Sequence, residues 1–204
     1  MTVTDARDRI LAVARDEFAR RGFAGARVDE IARKAGVNKA LIYYYFQSKK
    51  ELLLSIIGGF FRELLDLKTS LAGGSSLSDP DHRRRAFLAI YNFFRARKPV
   101  IRIVLTEMAK GEEETGEIIR MLEPLTGLFA KEMAEMGHSL EPADAEFMMN
   151  ITFYGFIPMV MFVTLEDKMA DYLAIDADCA AQRFHDLAAL TFESFRTRLS
   201  ARAG

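Results

Sequence analysis

One cysteine, Cys179, and five prolines in 204 residues each exclude something. A single thiol cannot close an internal disulfide or furnish a multi-cysteine zinc site. So few prolines, with no Gly-X-Y period and no self-similarity at a spacing of roughly 20 to 50 residues, exclude collagen-like and solenoid architectures. Sustained apolar–polar alternation is missing, as is any Asn-Gly or Asp-Gly turn between β-branched runs, so strands are not expected. The three histidines, His82, His138 and His185, lie far apart, and no H-E-x-x-H, P-loop or G-x-G-x-x-G occurs. An enzyme is therefore not expected, and neither a metal nor a cofactor. The opening Met1-Thr2-Val3-Thr4-Asp5-Ala6-Arg7 has no apolar stretch behind a basic start, which predicts no secretory leader and a reducing, cytoplasmic setting.

What the chain does have is apolar mass and a divided charge. Half of it is apolar, 11% aromatic and 28% charged, far too apolar for a disordered chain. The net charge of −1 conceals an asymmetry: residues 1–50 carry eleven Lys or Arg against six Asp or Glu, and residues 51–204 carry seventeen against twenty-three. A basic end on an acidic body suits a polyanion-binding head joined to a regulatory body.

Helical signals run throughout. Ile10, Ala14 and Phe18, with Leu11, form an i, i+4, i+8 stripe ending at Arg21-Gly22. A short helix over about 28–34 places Val28, Ile31 and Ala32 on one side, and Asn38 can cap another through about Tyr44. Ser48 and Glu51 form a capping box that opens a long helix with Leu52, Leu53, Ile56, Ile57, Phe60 and Leu64 on its apolar face. Ala72-Gly73-Gly74-Ser75-Ser76 is the clearest break. Asp79-Pro80 starts a helix carrying Phe87, Ile90, Tyr91 and Phe94, and Pro99 suits the first turn of the next, to about Met108. Gly111 to Gly116 reads as a solvated loop. Helices are expected over about 117–136, 142–169 and 178–200, giving about nine and an all-α fold.

The two short helices at the basic end have the spacing of a helix-turn-helix, whose second helix enters the DNA major groove. Ala32 is small where the helices cross, Gly36 can adopt the left-handed conformation of the turn, and Ile31, Val37 and Ile42 point inward. The second helix would then offer Asn38, Lys39, Leu41, Tyr43 and Tyr44, types that reach phosphates, guanine or a thymine methyl. Lys49 sits at a helix N-terminus, which favours a phosphate. Spacing alone also allows a plain loop with core tyrosines.

The run Ala26-Arg27-Val28-Asp29-Glu30-Ile31-Ala32-Arg33-Lys34-Ala35-Gly36-Val37-Asn38-Lys39-Ala40-Leu41-Ile42-Tyr43-Tyr44-Tyr45-Phe46-Gln47-Ser48-Lys49-Lys50-Glu51-Leu52-Leu53 closely resembles the DNA-binding domain of the TetR family of bacterial transcriptional regulators. Arg9-Ile10-Leu11 to Phe18-Ala19-Arg20-Arg21-Gly22-Phe23 resembles that family's first helix. The likeness covers residues 7–53; beyond them only length and helical character agree. It implies an N-terminal three-helix DNA-binding domain over 1–50 and a larger C-terminal helical ligand-binding and dimerisation domain over 51–204. It also implies DNA contacts by Arg27, Asn38, Lys39, Ala40, Leu41, Tyr43, Tyr44 and Lys49, made by a homodimer on double-stranded operator DNA. The family commonly has Thr or Ser where Arg27 stands, so the cap is lost there, and frequently a histidine where Tyr45 stands.

Residues 147–165 (FMMNITFYGFIPMVMFVTL) carry no charge over nineteen positions, close to the length of a membrane span. Asn150, Thr152, Gly155 and Pro158 within it speak against one. So do Asp144, Glu146, Glu166 and Asp167 beside it, and the absence of a Lys/Arg cluster. No membrane is expected; such a helix can be buried at the centre of a bundle or in a dimer interface. Pro158 should kink it and free a carbonyl.

The resemblance makes the body a small-molecule site, with Phe94, Met108, Met121, Phe153, Tyr154 and Met161 as lining candidates, though each taken singly is better suited to an ordinary core. Glu107 and Asn150 could orient a polar group of a ligand. Phe184, Leu187, Thr191 and Phe195, with Ala188 and Leu199, form a stripe able to pack on a twofold mate or on their own domain. Gly58-Gly59 lies mid-helix as either a hinge or a crossing point. The expectation is a ligand-responsive transcriptional regulator, a repressor released by a small apolar or aromatic effector. An activator or a ligand-independent DNA-binding regulator with the same head is the alternative.

Overall fold

The structure, a computed structural model, describes residues 3–72, 79–111, 113–135, 137 and 145–202. Among them every regular element is helical: α1 (Val3–Gly25), α2 (Val28–Ala35), α3 (Lys39–Phe46), α4 (Lys49–Ala72), α5 (Pro80–Arg95), α6 (Lys98–Lys110), α7 (Glu113–Arg120), α8 (Glu123–Glu135), α9 (Ala145–Asn150), a π-helical stretch (Ile151–Phe156), α10 (Ile157–Leu173) and α11 (Ala177–Arg202). The chain forms two compact units, Met1–Glu63 with Pro99–Met121, and Leu64–Lys98 with Leu122–Gly204. The expected break at Gly73-Gly74-Ser75-Ser76, Glu112, His138 and Asp144 lie outside the described residues, as do the side chains of Glu146, Phe147 and Leu199.

Punctuation in the first unit follows local chemistry. Gly22 takes φ 68 and breaks the regular winding of α1 at the expected place. Gly36 takes φ 65 and ψ 38 at the end of α2, and the next amide, on Val37, donates to Ala32 O at 3.0 Å. That six-to-one closure satisfies carbonyls the helix end would orphan, and the left-handed residue it needs has no penalty as glycine. Asn38 Oδ1 accepts from the Leu41 amide at 2.8 Å, and Ser48 Oγ from the Glu51 amide at 3.0 Å. These bonds form the Asn38 cap and the serine half of the Ser48–Glu51 box, while the Ser48 amide turns to Phe46 O. Ile10, Ala14, Phe18, Ile31, Ala32, Ile42 and Phe46 are buried, joined by Leu52, Leu53 and Ile57 of α4 and Ile101, Val104 and Ile118 of α6 and α7.

Two expectations in the later chain are corrected. The acidic run after Gly111 is not a loop: Gly111 turns the chain at φ 67, and α7 begins at Glu113. Glutamates gathered at a helix start favour that helix, because they face the positive end of its dipole. The single helix expected over 117–136 is two, divided at Met121-Leu122. Pro124 in the first turn of α8 has no amide to donate to Arg120, and its ring excludes a continuous helix there.

The uncharged run also differs from an all-round buried helix. From Met148 to Leu173 it forms a continuous 26-residue helix, long and apolar enough to cross a membrane by length and composition, with 22% of its most apolar window buried. Phe156, Met159, Val160, Val163, Glu166 and Ala170 face inward, while Met149, Phe153, Tyr154, Met161, Leu165 and Met169 are exposed. Within one chain it is therefore not the centre of a bundle. Pro158 is accommodated by the π-helical stretch before it, where the Ile157 amide reaches five residues back to Thr152 O. The widened turn relieves the clash between the proline ring and the carbonyl of Tyr154, which loses its helical donor.

Candidate nucleic-acid interface

The side chains predicted to meet DNA all belong to the first unit. Ile42 and Phe46 are the buried positions of α3, and an eight-residue helix held on those two points turns its remaining side chains outward. Asn38, Lys39, Ala40, Tyr43 and Tyr44 are exposed, Tyr44 by 77%, and Leu41 is half-buried. Arg27 is exposed at the start of α2. It makes no side-chain cap there, in keeping with the lost Thr or Ser, and its carbonyl accepts from the Glu30 and Ile31 amides at 3.1 Å each. Tyr45 is half-buried, its ring 5.3 Å from that of Tyr44.

Two lysines differ from a bare phosphate-binding group. Lys39 Nζ lies 2.9 Å from Asp29 Oδ1 and 3.1 Å from Oδ2, both side chains in solvent. The hydrogen bond and charge of that carboxylate hold the lysine above its usual pKa. Lys49 donates to Ala24 O at 3.3 Å and stands 4.6 Å from the centre of the Phe23 ring, with Lys110 on the same ring at 5.8 Å. Burial and then the neighbouring Lys110 lower its pKa.

Behind this surface, Glu17 is a buried carboxylate that binds α1 to α2. Arg20 and Arg21 reach it from its own helix at 2.8 and 3.2 Å, and Lys34 pairs with it from α2. Hydrogen bonds from Lys34 and Arg20 hold its pKa at about 2. Arg9 Nε donates to Ala35 O at 3.3 Å, tying α1 to the end of α2. The scaffold presenting α3 is thus fixed by apolar packing and by charge.

The residues predicted for an effector are less concentrated. Met108 and Met121, both half-buried, belong to the first unit. The Met121 thioether lies 3.9 Å from where a Cβ on Gly58 would stand, and α4 runs unbroken through Gly58-Gly59. Phe94 is buried in the second unit against Phe156 at 5.8 Å, whereas Phe153, Tyr154 and Met161 are on its surface. Of the polar candidates, Glu107 is buried and paired with Lys110 at 2.6 Å, and Asn150 is half-buried. Of the predicted dimer stripe, Phe184 stacks on Phe162 at 4.3 Å, Leu187 is exposed, and Thr191 and Phe195 are half-buried.

A charged group that sequence reasoning missed sits in the second unit. Glu166 is 1% exposed and accepts from Tyr91 Oη at 2.6 Å, with Lys98 Nζ at 2.9 Å and Arg95 Nε at 3.2 Å. Burial and the Glu166 carboxylate raise the Tyr91 hydroxyl above the usual tyrosine range. The signal was available: Glu166 occupies the i+3 place after Val163 and four before Ala170, on the buried stripe of α10.

Comparison with known proteins agrees with this geometry. Residues 10–56 match the family model of bacterial regulatory proteins, tetR family. The HTH-type transcriptional repressor SCO4008 of Streptomyces coelicolor is 36% identical over 99 residues, 48% of this chain and 47% of that protein. The chain spans about half the length of the curated relatives it matches. Among solved structures, a transcriptional regulator of Aquifex aeolicus superposes with a TM-score of 0.69 at 19% identity, covering 91% of this chain and 98% of that one. The regulator FadR of Bacillus subtilis, in complex with stearoyl-CoA, superposes with a TM-score of 0.67 at 16% identity over 89% and 96%. Over residues 10–56 the chain thus matches the tetR family of bacterial regulatory proteins, and across the rest the likeness is one of fold.

Proposed function

We propose that this chain is a ligand-responsive, homodimeric DNA-binding regulator of the bacterial cytoplasm, a repressor released from its operator by a small, largely apolar molecule. The observation that carries the reading is α3: it buries Ile42 and Phe46 and leaves Asn38, Lys39, Ala40, Tyr43 and Tyr44 outward on a basic end of the chain. Each subunit would set residues 38–44 into a major groove, the two groove sites lying about 34–36 Å apart on a pseudo-palindromic operator. Residues 1–50 serve as the reading head and 51–204 as the effector and dimer domain. Arg27 and Lys49 supply backbone contacts. Lys49 makes its contact by leaving the Ala24 carbonyl, so it costs more to recruit than Arg27.

The sign of regulation rests on relatives such as SCO4008, named a repressor. An apolar effector accords with the aromatic, Met-rich body and with the stearoyl-CoA held by FadR. Phe94, Met108, Met121, Phe153, Tyr154 and Met161 remain the proposed effector contacts. Release requires that the effector bind better when the heads are wrongly spaced, and it then lowers DNA affinity by the factor that DNA lowers its own.

The test is binding to the DNA flanking the chain's own gene across a salt series. Tight, selective binding by two subunits per site, weakening steeply with salt, is expected. Absence of binding to any duplex at low salt overturns the reading.

A further inference from the structure

Lys39 is the sole Lys or Arg between Lys34 and Lys49, so α3 itself carries one cation. A carboxylate from the neighbouring helix engages it through both oxygens, Asp29 Oδ1 at 2.9 Å and Oδ2 at 3.1 Å. Nothing in the packing requires the pair. Asp29 and Lys39 are both exposed, and an exposed ion pair contributes little to folding. The acid is also misplaced for a surface meant only to attract DNA. Glu30, beside it, is satisfied by Arg33 at 2.6 Å and could serve α2's first turn without Asp29.

We propose that Asp29 is a specificity-determining residue, which occupies Lys39 on non-cognate DNA and yields it only where the base edges of the operator replace the pair. The inference rests on the DNA-binding reading above. A lysine is a point charge on a flexible stem and will take any phosphate within reach. Phosphate contacts carry no sequence information and supply essentially all non-specific affinity. Holding the ammonium on Asp29 suppresses that term. Guanine offers two acceptors, N7 and O6, on its major-groove edge, which can take the place of the two contacts that Asp29 makes to the ammonium.

The test compares wild type, Asp29→Asn, Lys39→Ala and the double variant. Two duplexes are used: one of random sequence and one selected from a random pool for tightest wild-type binding. Asp29→Asn should bind the random duplex about tenfold more tightly and steepen its log affinity–log salt slope by about 0.9 per head. Affinity for the selected duplex should rise less, so the ratio between the two narrows. In the Lys39→Ala background, Asp29→Asn should change random-duplex affinity by less than about twofold. Asp29→Ser gives a second removal of the charge should the amide find a partner of its own.

An unchanged salt slope in both Asp29 variants overturns the inference. So does a gain that persists undiminished in Lys39→Ala, because Asp29 would then act by bulk charge and not through Lys39. If neither wild type nor Asp29→Asn binds any duplex at low salt, the DNA-binding reading falls, and this inference with it.

Discussion

The first compact unit covers its apolar residues, Ile119 apart, and exposes polar and aromatic ones on α3; the second leaves a row of apolar side chains uncovered. In the first, Phe18, Ile31, Ile42 and Phe46 are within 2% of full burial, while the exposed side offers Asn38, Lys39, Tyr43 and Tyr44. In the second, Met161, Leu165, Met169 and Leu173 recur every four residues along α10, all exposed, and Leu187 and Leu190 are exposed on α11. The first unit also buries two glutamates, Glu17 among three cations and Glu107 beside Lys110, and the second buries Glu166 between Lys98 and Arg95. The comparison teaches that one unit satisfies its own apolar surface and presents chemistry outward, whereas the other presents apolar surface outward, as a chain does when part of its core lies in a partner.

The largest expected effect lies where the first unit is most closely packed. Phe18→Ala should destabilise it by roughly 3–5 kcal/mol, the usual result of emptying a phenylalanine site in a closed core. Urea unfolding followed by circular dichroism measures it. A loss below about 1 kcal/mol would mean that α1 is not fixed on α2 and α3 by that ring.

Next comes Glu17. Its folded value of about 2 lies below the ordinary 4.5, because Lys34 and Arg20 favour the carboxylate. The unfolded chain therefore takes up the proton first as pH falls. The stabilisation is full above the unfolded value and is lost as pH falls through 4.5 towards 2. At 1.36 kcal/mol per pH unit its ceiling is about 3 kcal/mol, and partners partly in solvent will lower it. Glu17→Gln should be less stable at neutral pH and should flatten the acid limb of stability against pH. An acid limb as steep as that of the wild type would assign the dependence to other carboxylates. Asn38→Ala follows at about 1 kcal/mol, since it removes the acceptor for the Leu41 amide. Its DNA affinity should fall as well, a separation that unfolding and binding measured on one preparation will show.

The contrast between the units also governs how much was legible in the sequence. The head's determinants are local. Gly36, Asn38 and Ser48 act on amides and carbonyls within six residues, so their spacing carried the turn, both caps and the outward face of α3. The second unit is built by long-range pairing, and there periodicity told less. It marked the stripe containing Phe184 and Leu187 but could not divide it: Phe184 stacks inside its own unit on Phe162, while Leu187 stays exposed. Glu166 was missed because a charged residue on an apolar stripe is readable only with its partners, and Tyr91, Arg95 and Lys98 lie about 70 residues earlier. Pro124 is the local signal for the division of α7 from α8, and the π-helical stretch ahead of Pro158 has no sequence signature beyond the proline. Asp29 could be placed beside α3 only once the crossing of α2 and α3 was known.

The smallest effect on a single chain should come from the uncovered row, and there the two units separate most clearly. Residues three or four apart on a helix form ridges, and ridges of that kind interlock between helices. Leu187→Ser with Leu190→Ser removes two such residues from α11, one of them 69% exposed. In a monomer, exposed positions of this kind change stability by no more than about 0.5 kcal/mol. In the proposed homodimer the same side chains leave water on association, at about 25 cal/mol per Å² of apolar area. The variant should therefore sediment as a monomer at concentrations where the wild type is a dimer. It should also lose the concentration dependence of its urea midpoint while keeping the midpoint of the monomer. Affinity for a single half-site should survive, since α3 is untouched, and affinity for a two-half-site operator should fall to that level. A wild-type chain that sediments as a monomer throughout would remove the second copy as the partner, and with it the paired spacing of the heads.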